Sequence, residues 1–530
     1  MIPFEWLDTF AQMVTLKLNS DIVSVRLILS VLFGYPIALA YSLLSVRWSI
    51  PQRQIYLLLC GMFLFGWNFG FDIIHMIIGI FVTMFVNYVS CGTKLSVVFA
   101  FCFNMAYLLS GSYIYNRGTY DINWTTPYCI LCLRLIGLTW DLYDGCKPAA
   151  EISKLQKRSA LTTFPGVLET LSFCFVPTAF ISGPQFPMCH YQAFIDGSLR
   201  PYAILRNRTF LKRFIFNPKV QRTVIRFTMG IAGILILSRM LSRFPAEFML
   251  TEEFQQEGAC VLLGLGCTGL VHIRHLAQDG DNGFTGGKHH DPSEVRTKSA
   301  LDRRDSAVAW NEQSVAQLIA SNTYDPTRVE VREADHTACA NISLGNLLLA
   351  TNTDHLVSGF NINTNKWVLE YVYKRLRFLG NKKLSQVFTL LFLALWHGLY
   401  SGYFVNFATE FLVIAVEKDL LCIVKRSVYS DFLYKTKIGF VLTSVFGKFH
   451  VLFLLASPLV AFYLLQFHLW FPVLKSVYFV GFIYLLWPLM RPLVKSAFPP
   501  KNSHLKSTPS AQFQLNGMPT VDITEGIKKE

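Results

Sequence analysis

The chain has 530 residues, 52% of them hydrophobic and only 15% charged, where an ordinary soluble domain carries about 25% charged residues. With 45 Phe, 22 Tyr and 10 Trp, the apolar surface is too large to hide in aqueous cores. A soluble enzyme, a disordered scaffold, a disulfide-stapled module and a peripheral protein held by one amphipathic helix are therefore excluded. The formal net charge is +14, but the bases flank apolar runs, as in Arg206-Asn207-Arg208, Lys212-Arg213 and Lys374-Arg375-Leu376-Arg377. That is the pattern of positive-inside topology and of attraction to anionic headgroups. It carries no nucleic-acid motif.

A bilayer core needs about 20 apolar residues of helix. In chain order, residues 1–21 are an amphipathic segment without the features of a cleavable signal peptide. Apolar runs follow at 22–46, 55–87, 94–115, 125–143, 164–182, 223–242, 255–273, 384–416, 438–466 and 468–495. They predict an all-α polytopic membrane protein with about ten or eleven transmembrane helices. The organisation read from this pattern is 1–21, membrane helices over 22–278, a polar insert at 279–335, a further membrane region at 336–495, and a tail at 496–530. Insert and tail lack the large apolar residues that a core requires and are expected to be disordered. Sequons occur at Asn123, Asn207 and Asn341. The twelve Cys show no disulfide framework. Cys129 and Cys132 have zinc-like spacing, but they lack a second ligand pair and fall inside an apolar run. No metal site is expected.

Two clusters carry chemistry. His397 lies in the middle of the 384–416 run, preceded by Thr389–Trp396, in which seven of eight residues are apolar. An ionisable group there marks a functional site, against the plain alternative of a histidine bonded across two helices. Gly398, Ser401 and Gly402 follow, small enough for close helix packing or for approach of a substrate. The second cluster is Asn361, Asn363 and Asn365 before Trp367; its plain reading is a polar helix entry, because Asn favours caps and turns. Asn361 and His397 are 36 residues apart, about 54 Å on one straight helix. The polar break Gly380-Asn381-Lys382-Lys383 makes two folded-back helices the expectation.

The block from Phe360 to Phe404, FNINTNKWVLEYVYKRLRFLGNKKLSQVFTLLFLALWHGLYSGYF, closely resembles the signature region of the membrane-bound O-acyltransferase (MBOAT) family, in its lysolipid-acylating branch. So do Trp124–Cys129, Leu135–Leu138, Tyr143-Asp144-Gly145, Gly183–Phe186 with His190-Tyr191, and Ala338–Asn341. The resemblance implies helices around an intramembrane reaction chamber, with His397 of the Trp-His-Gly motif as catalytic base and Asn361 as its partner. It implies transfer of a fatty acyl group from acyl-CoA to the sn-2 hydroxyl of a lysophospholipid in phospholipid remodelling. Lysophosphatidylcholine is the first acceptor expected, with lysophosphatidylethanolamine or lysophosphatidylserine beside it. A protein or another alcohol as acceptor is the alternative, and a transporter the more distant one.

Asn363, Asn365, Trp367, Lys374, Arg375, Arg377, Trp396 and Ser401 are the further candidates for substrate contact. The basic residues among them suit the phosphates of coenzyme A or of the lysolipid, or equally a membrane-surface helix with snorkelling cations. Acyl-CoA enters as co-substrate and no cofactor is expected. The partners are acyl-CoA, lysophospholipid and membrane lipids, with no nucleic acid; a homodimer is left open. The resemblance points to the endoplasmic reticulum membrane, and Lys528-Lys529-Glu530 at the tail is one residue out of register with a dilysine retrieval signal.

Overall fold

A computed structural model of the chain describes residues 5–18, 21–115, 122–181, 183–198, 340–454 and 456–501, with short pieces at 221, 224–225, 227–233 and 250–251. All belong to the unit formed by Met1–Val261 and Cys339–Glu530. The insert at 279–335, the run 255–273, the basic clusters at 206–208 and 212–213, the sequon at Asn207 and the tail from 502 lie outside the described residues. The described residues are helical wherever they are regular, apart from one isolated bridge between Ser427 and Pro500.

The amphipathic N-terminal segment forms the helix Glu5–Leu18, which buries Leu7 and Ala11 against Val25 and Trp67. Its Asp8 accepts from the Trp67 indole at 3.0 Å and pairs with Arg26 at 2.9 Å. Ile22–Leu44 starts at Asp21, whose carboxylate accepts from the Ser24 amide at 2.8 Å, a side-chain cap for an orphan N–H. Ile50–Phe69 starts in a Ser49/Gln52 capping box.

Thr125–Gly145 is the centre of the fold. It buries Arg134, Asp141 and Asp144 along with its apolar residues. Arg134 donates to the carbonyls of Phe173 at 2.8 Å, Cys174 at 3.0 Å and Ala179 at 3.0 Å. The Phe173 and Cys174 carbonyls are available because the helix Val167–Cys174 stops there. Pro177 has no N–H to give and its ring clashes with the carbonyl four residues back, so the helix cannot continue. The apolar run 164–182 is thus a short helix followed by turns wrapped around a buried guanidinium, and not the crossing that its composition predicts.

The second half of the fold is a helical hairpin. Ile362–Val368 continues through Leu369–Tyr373 and Lys374–Leu379, and the chain reverses at Gly380 with φ 65°. It returns as Lys382–His397, where the Asn381 side chain accepts from the amides of Lys383 and Leu384 at 2.9 and 3.2 Å. The polar break at 380–383 therefore divides two helices, as expected. The first arm lies along Thr125–Gly145. Trp367 packs over Gly137, where a side-chain carbon would sit 3.0 Å from the indole nitrogen. The Tyr371 hydroxyl donates to Asp141 at 2.8 Å. Arg375 makes a two-pronged pair with Asp144 at 2.8 and 2.5 Å while covering the Trp140 ring at 4.1 Å. Ser401–Arg426 follows the hairpin and packs against Ala456–Leu464.

Among the described residues three helices are long and apolar enough to cross a membrane: Ile22–Arg47, Ile50–Ser90 and Lys94–Tyr115. The pair Phe467–Ser476 and Val480–Ala497 is long and apolar enough only when taken together and is bent by 79°, the shape of a broken span or a re-entrant loop. The other described runs are interrupted. The 384–416 run breaks at Gly398, and the 438–466 run divides into Lys437–Phe449, His450–Leu454 and Ala456–Leu464. Thr125–Gly145 is buried in protein rather than lipid, and its three buried ionisable residues set it apart from the spans. The chain is a helical membrane protein.

The Asp144–Arg375 pair is buried on both sides, with side-chain exposures of 0% and 12%. Removing one partner of such a pair leaves an uncompensated charge and costs about 3–5 kcal/mol, whereas replacing both by apolar groups is often neutral. Arg375→Ala is expected to lower the thermal midpoint in detergent by several degrees, and Arg375→Met with Asp144→Leu to recover most of the loss. An unshifted midpoint in the single variant would contradict this role.

Candidate active site

His397 is the last residue of Lys382–His397. The helix ends there because Gly398 takes φ 135°, a conformation that residues with a side chain rarely adopt. The turn is anchored on both sides. The Trp396 indole donates to the Cys129 carbonyl at 3.0 Å. A carbon added at Gly398 would lie 3.3 Å from the Tyr403 ring and 3.4 Å from Ser112 Oγ. Gly402 sits so close to Ala461 that a side-chain carbon would fall 1.9 Å from its carbonyl oxygen, so that glycine serves helix packing.

The imidazole is half-buried among aromatic rings. Its centroid is 4.8 Å from Trp396, 5.5 Å from Tyr403, 5.5 Å from Phe407 and 5.1 Å from Phe462. Neither ring nitrogen has a hydrogen-bond partner among the described residues. A cross-helix structural histidine would show one. This arrangement leaves a lone pair for a substrate proton.

The asparagines form a tight turn around a fourth. Asn361 has φ 49° and caps Ile362–Val368. Its side-chain oxygen accepts from Asn341 Nδ2 at 3.3 Å. Asn341 in turn accepts from the Asn363 amide through its side chain at 3.0 Å, and from the Ile362 amide through its carbonyl at 3.0 Å. Asn363 donates to the Ala340 carbonyl at 3.2 Å, and Asn365 to the carbonyls of Val357 and Phe360 at 3.0 and 2.9 Å. Of these four asparagines, Asn361 alone has no partner for its Nδ2 donors among the described residues, while its oxygen is tied back.

The central helix relates the two clusters. Along it Trp367 meets Gly137, Tyr371 meets Asp141 and Arg375 meets Asp144, a parallel register offset by 230 or 231 residues. Continued to Asn361, this register gives Leu131. From the other arm Trp396 meets Cys129. Asn361 and His397 thus lie at nearly one level of Thr125–Gly145, about 3 Å apart along its axis at 1.5 Å per residue. No hydrogen bond joins them among the described residues.

The remaining candidates divide. Trp367 is buried, stacked on Phe392 at 6.0 Å. Ser401 accepts from the Trp470 indole at 3.0 Å and donates to the Leu465 carbonyl at 3.3 Å. With Asn363, Asn365, Arg375 and Trp396, these polar groups are engaged by protein. Lys374 and Arg377 are exposed and without partners among the described residues. They line a pocket with Gln156, Ser159, Glu370 and Arg375. Burial raises the Glu370 carboxyl above its ordinary range, against the pull of Lys374.

Sequence reasoning missed two functional positions. Asn341, read as a sequon and as the end of a family-like segment but given no role, is the hub of the asparagine turn. Asp144 holds the first hairpin arm through Arg375. Both stood in segments with a signal, Ala338–Asn341 and Tyr143–Gly145, but neither segment reveals its distant partner.

Residues 109–457 match the model of the membrane-bound O-acyltransferase family. The chain is 32% identical over 470 residues to lysophospholipid acyltransferase 5 of Drosophila melanogaster, covering 88% of this chain and 86% of that one. It is 30% identical over 531 residues to lysophospholipid acyltransferase 5 of Homo sapiens, covering 92% and 93%. To the lysophospholipid acyltransferase of Schizosaccharomyces pombe it is 25% identical over 455 residues, covering 79% and 74%.

Proposed function

The chain belongs to the membrane-bound O-acyltransferase family, and from that premise we propose that it transfers a fatty acyl group from acyl-CoA to the sn-2 hydroxyl of a lysophospholipid. Relatives named for lysophospholipid acylation span nearly the whole chain. The observation that carries the site assignment is the common level of Asn361 and His397 on the central helix, each with free polar atoms.

The mechanism follows from which groups need help. The lysolipid hydroxyl is a poor nucleophile until its proton is removed. His397, neutral and unpartnered, accepts that proton as the oxygen attacks the thioester carbonyl. The carbonyl oxygen becomes an oxyanion. Asn361, its own oxygen held by Asn341, presents Nδ2–H to it. The intermediate collapses to the new ester, and the departing coenzyme A thiolate takes the proton from His397. A thioester is already activated, so the reaction needs neither an acyl-enzyme nor a resident cofactor. Two neutral side chains suit a low-dielectric chamber, where an unpaired charge is costly.

The Lys374/Arg377 pocket supports a place for the phosphates of coenzyme A. It lies at the Asp144 level, about 15 residues or about 22 Å along the central helix from the Cys129 level of the His397 arm. An extended pantetheine arm covers such a distance. Lysophosphatidylcholine is our first acceptor, and the endoplasmic reticulum membrane, where lysolipids are remodelled, our compartment. Purified protein with acyl-CoA and a panel of lysolipids, a peptide and diacylglycerol tests the reading. Acylation of peptide or diacylglycerol alone would refute it.

His397→Ala is expected to lower turnover by about 10²–10⁴ with unchanged gel-filtration behaviour; equal activity would remove the base from the mechanism. Asn361→Ala should lower kcat by about 10²–10³ with a smaller change in KM. Asn361→Asp keeps the shape but sets an anion where the oxyanion forms, so it should be at least as damaging at neutral pH. An active Asn361→Asp beside a dead Asn363→Ala would move the role to Asn363.

A further inference from the structure

The helix Ser401–Arg426 carries three acidic residues. Two are engaged. Glu417 accepts from the Thr353 amide at 3.0 Å, the Thr353 hydroxyl at 2.8 Å and His450 at 2.9 Å. Asp419 accepts from the Trp487 indole at 3.0 Å and from Arg491 at 2.5 Å. Glu410 has no hydrogen bond or ion pair among the described residues, although it is only partly exposed, two and a half turns into an apolar helix. A carboxyl without a partner in a membrane protein is destabilising and marks a ligand path.

Its position says which ligand. Tyr403 and Phe407, both in ring contact with His397, share with Glu410 the spacing of four and then three residues that defines one helix face. Glu410 therefore continues the wall that holds the base, about 7.5 Å along the axis from the mid-level of Tyr403 and Phe407. The same face ends at Glu417, which holds Thr353 at the start of the short helix leading to Asn361. Glu410 stands between the base and that anchor on one face of the helix.

We infer that Glu410 receives the cationic nitrogen of the acceptor headgroup, making it a specificity-determining residue for zwitterionic lysophospholipids; this rests on the lysolipid reading above. The sn-2 oxygen and the headgroup nitrogen of such a lipid are separated by about eight bonds, which a bent headgroup closes to the spacing given by the helix rise. A trimethylammonium has no N–H to donate, so it is recognised by charge and by aromatic faces. Glu410 supplies the charge, and Phe407 and Phe462, which flank His397 at 5.5 and 5.1 Å, supply the faces. An ammonium headgroup fits the same subsite. Lysophosphatidylglycerol and lysophosphatidic acid offer no cation.

The test compares kcat/KM for lysophosphatidylcholine and lysophosphatidylglycerol, with one acyl-CoA, using the full-length protein in detergent. Wild type should prefer the choline lipid. In Glu410→Gln the preference should fall about tenfold or more, mainly through KM for the choline lipid. Glu410→Asp, which keeps the charge, should retain most of it. An unchanged ratio in Glu410→Gln, or an equal loss on both acceptors, overturns the inference. If Glu410→Gln does not elute as folded protein, wild type is titrated with dodecylphosphocholine and dodecyl phosphate as inhibitors. Stronger inhibition by the former upholds a cation subsite, and equal inhibition overturns it. A wild type that acylates neither lipid would refute the lysolipid reading itself. One that acylates both without preference would refute only the role of Glu410.

Discussion

The two buried carboxylates of Thr125–Gly145 fix everything built on that helix. Asp141 takes the Tyr371 hydroxyl and Asp144 takes Arg375. A slip of the hairpin by one helical turn, about 5.4 Å, would strip the buried Asp144 of its cation and the buried Asp141 carboxyl of its hydrogen-bond donor. The first hairpin arm therefore has one register on the central helix. The return arm is held independently by the Trp396–Cys129 bond. With both arms fixed to one post, the level of Asn361 relative to His397 is set from two directions, although no bond connects them.

The chemistry depends on what these anchors leave free. Most polar groups in the signature block are satisfied by protein: Asn363, Asn365, Ser401 and the Trp396 indole all have partners. The imidazole of His397 and the amide nitrogen of Asn361 do not. Rigid surroundings with two unsatisfied polar tips are what preorganisation requires, because little has to move when charge develops on the reacting carbonyl. The Gly398 turn contributes by ending the helix at the base, so the imidazole sits at a helix terminus beside aromatic rings rather than within a continuous span.

Much of this was legible in the sequence, for reasons that can be named. The excess of apolar residues made the membrane setting unavoidable. His397 stood out as a titratable group in an apolar run, and the break at Gly380–Lys383 was visible as a helix stop. The asparagine cluster was read as either a helix entry or a site, and it has the features of both: Asn361 caps a helix and keeps its amide free. What was not legible depends on partners far away in the chain. The 164–182 run has the composition of a crossing, but its helix ends at Cys174, ahead of Pro177, where the guanidinium of Arg134 takes the Phe173 and Cys174 carbonyls. The Arg375–Asp144 pair joins residues more than two hundred positions apart, and Arg375 in isolation read equally as a phosphate contact or a membrane-surface cation. Asn341 gave a sequon and a place in a family-like segment but no role, because it holds two amides and one side chain that local pattern does not bring near it.

The central claim is that Asn361 and His397 act on one reacting centre although they do not touch. A double-mutant cycle on kcat measures this directly, using His397→Ala, Asn361→Ala and the double variant with acyl-CoA and lysophosphatidylcholine. Residues that serve a single transition state are strongly non-additive. The double variant should therefore be no slower than the slower single variant by more than a few-fold. Losses that multiply, so that the double variant falls by the product of the two single effects, would mean that the residues act independently and would contradict the shared site.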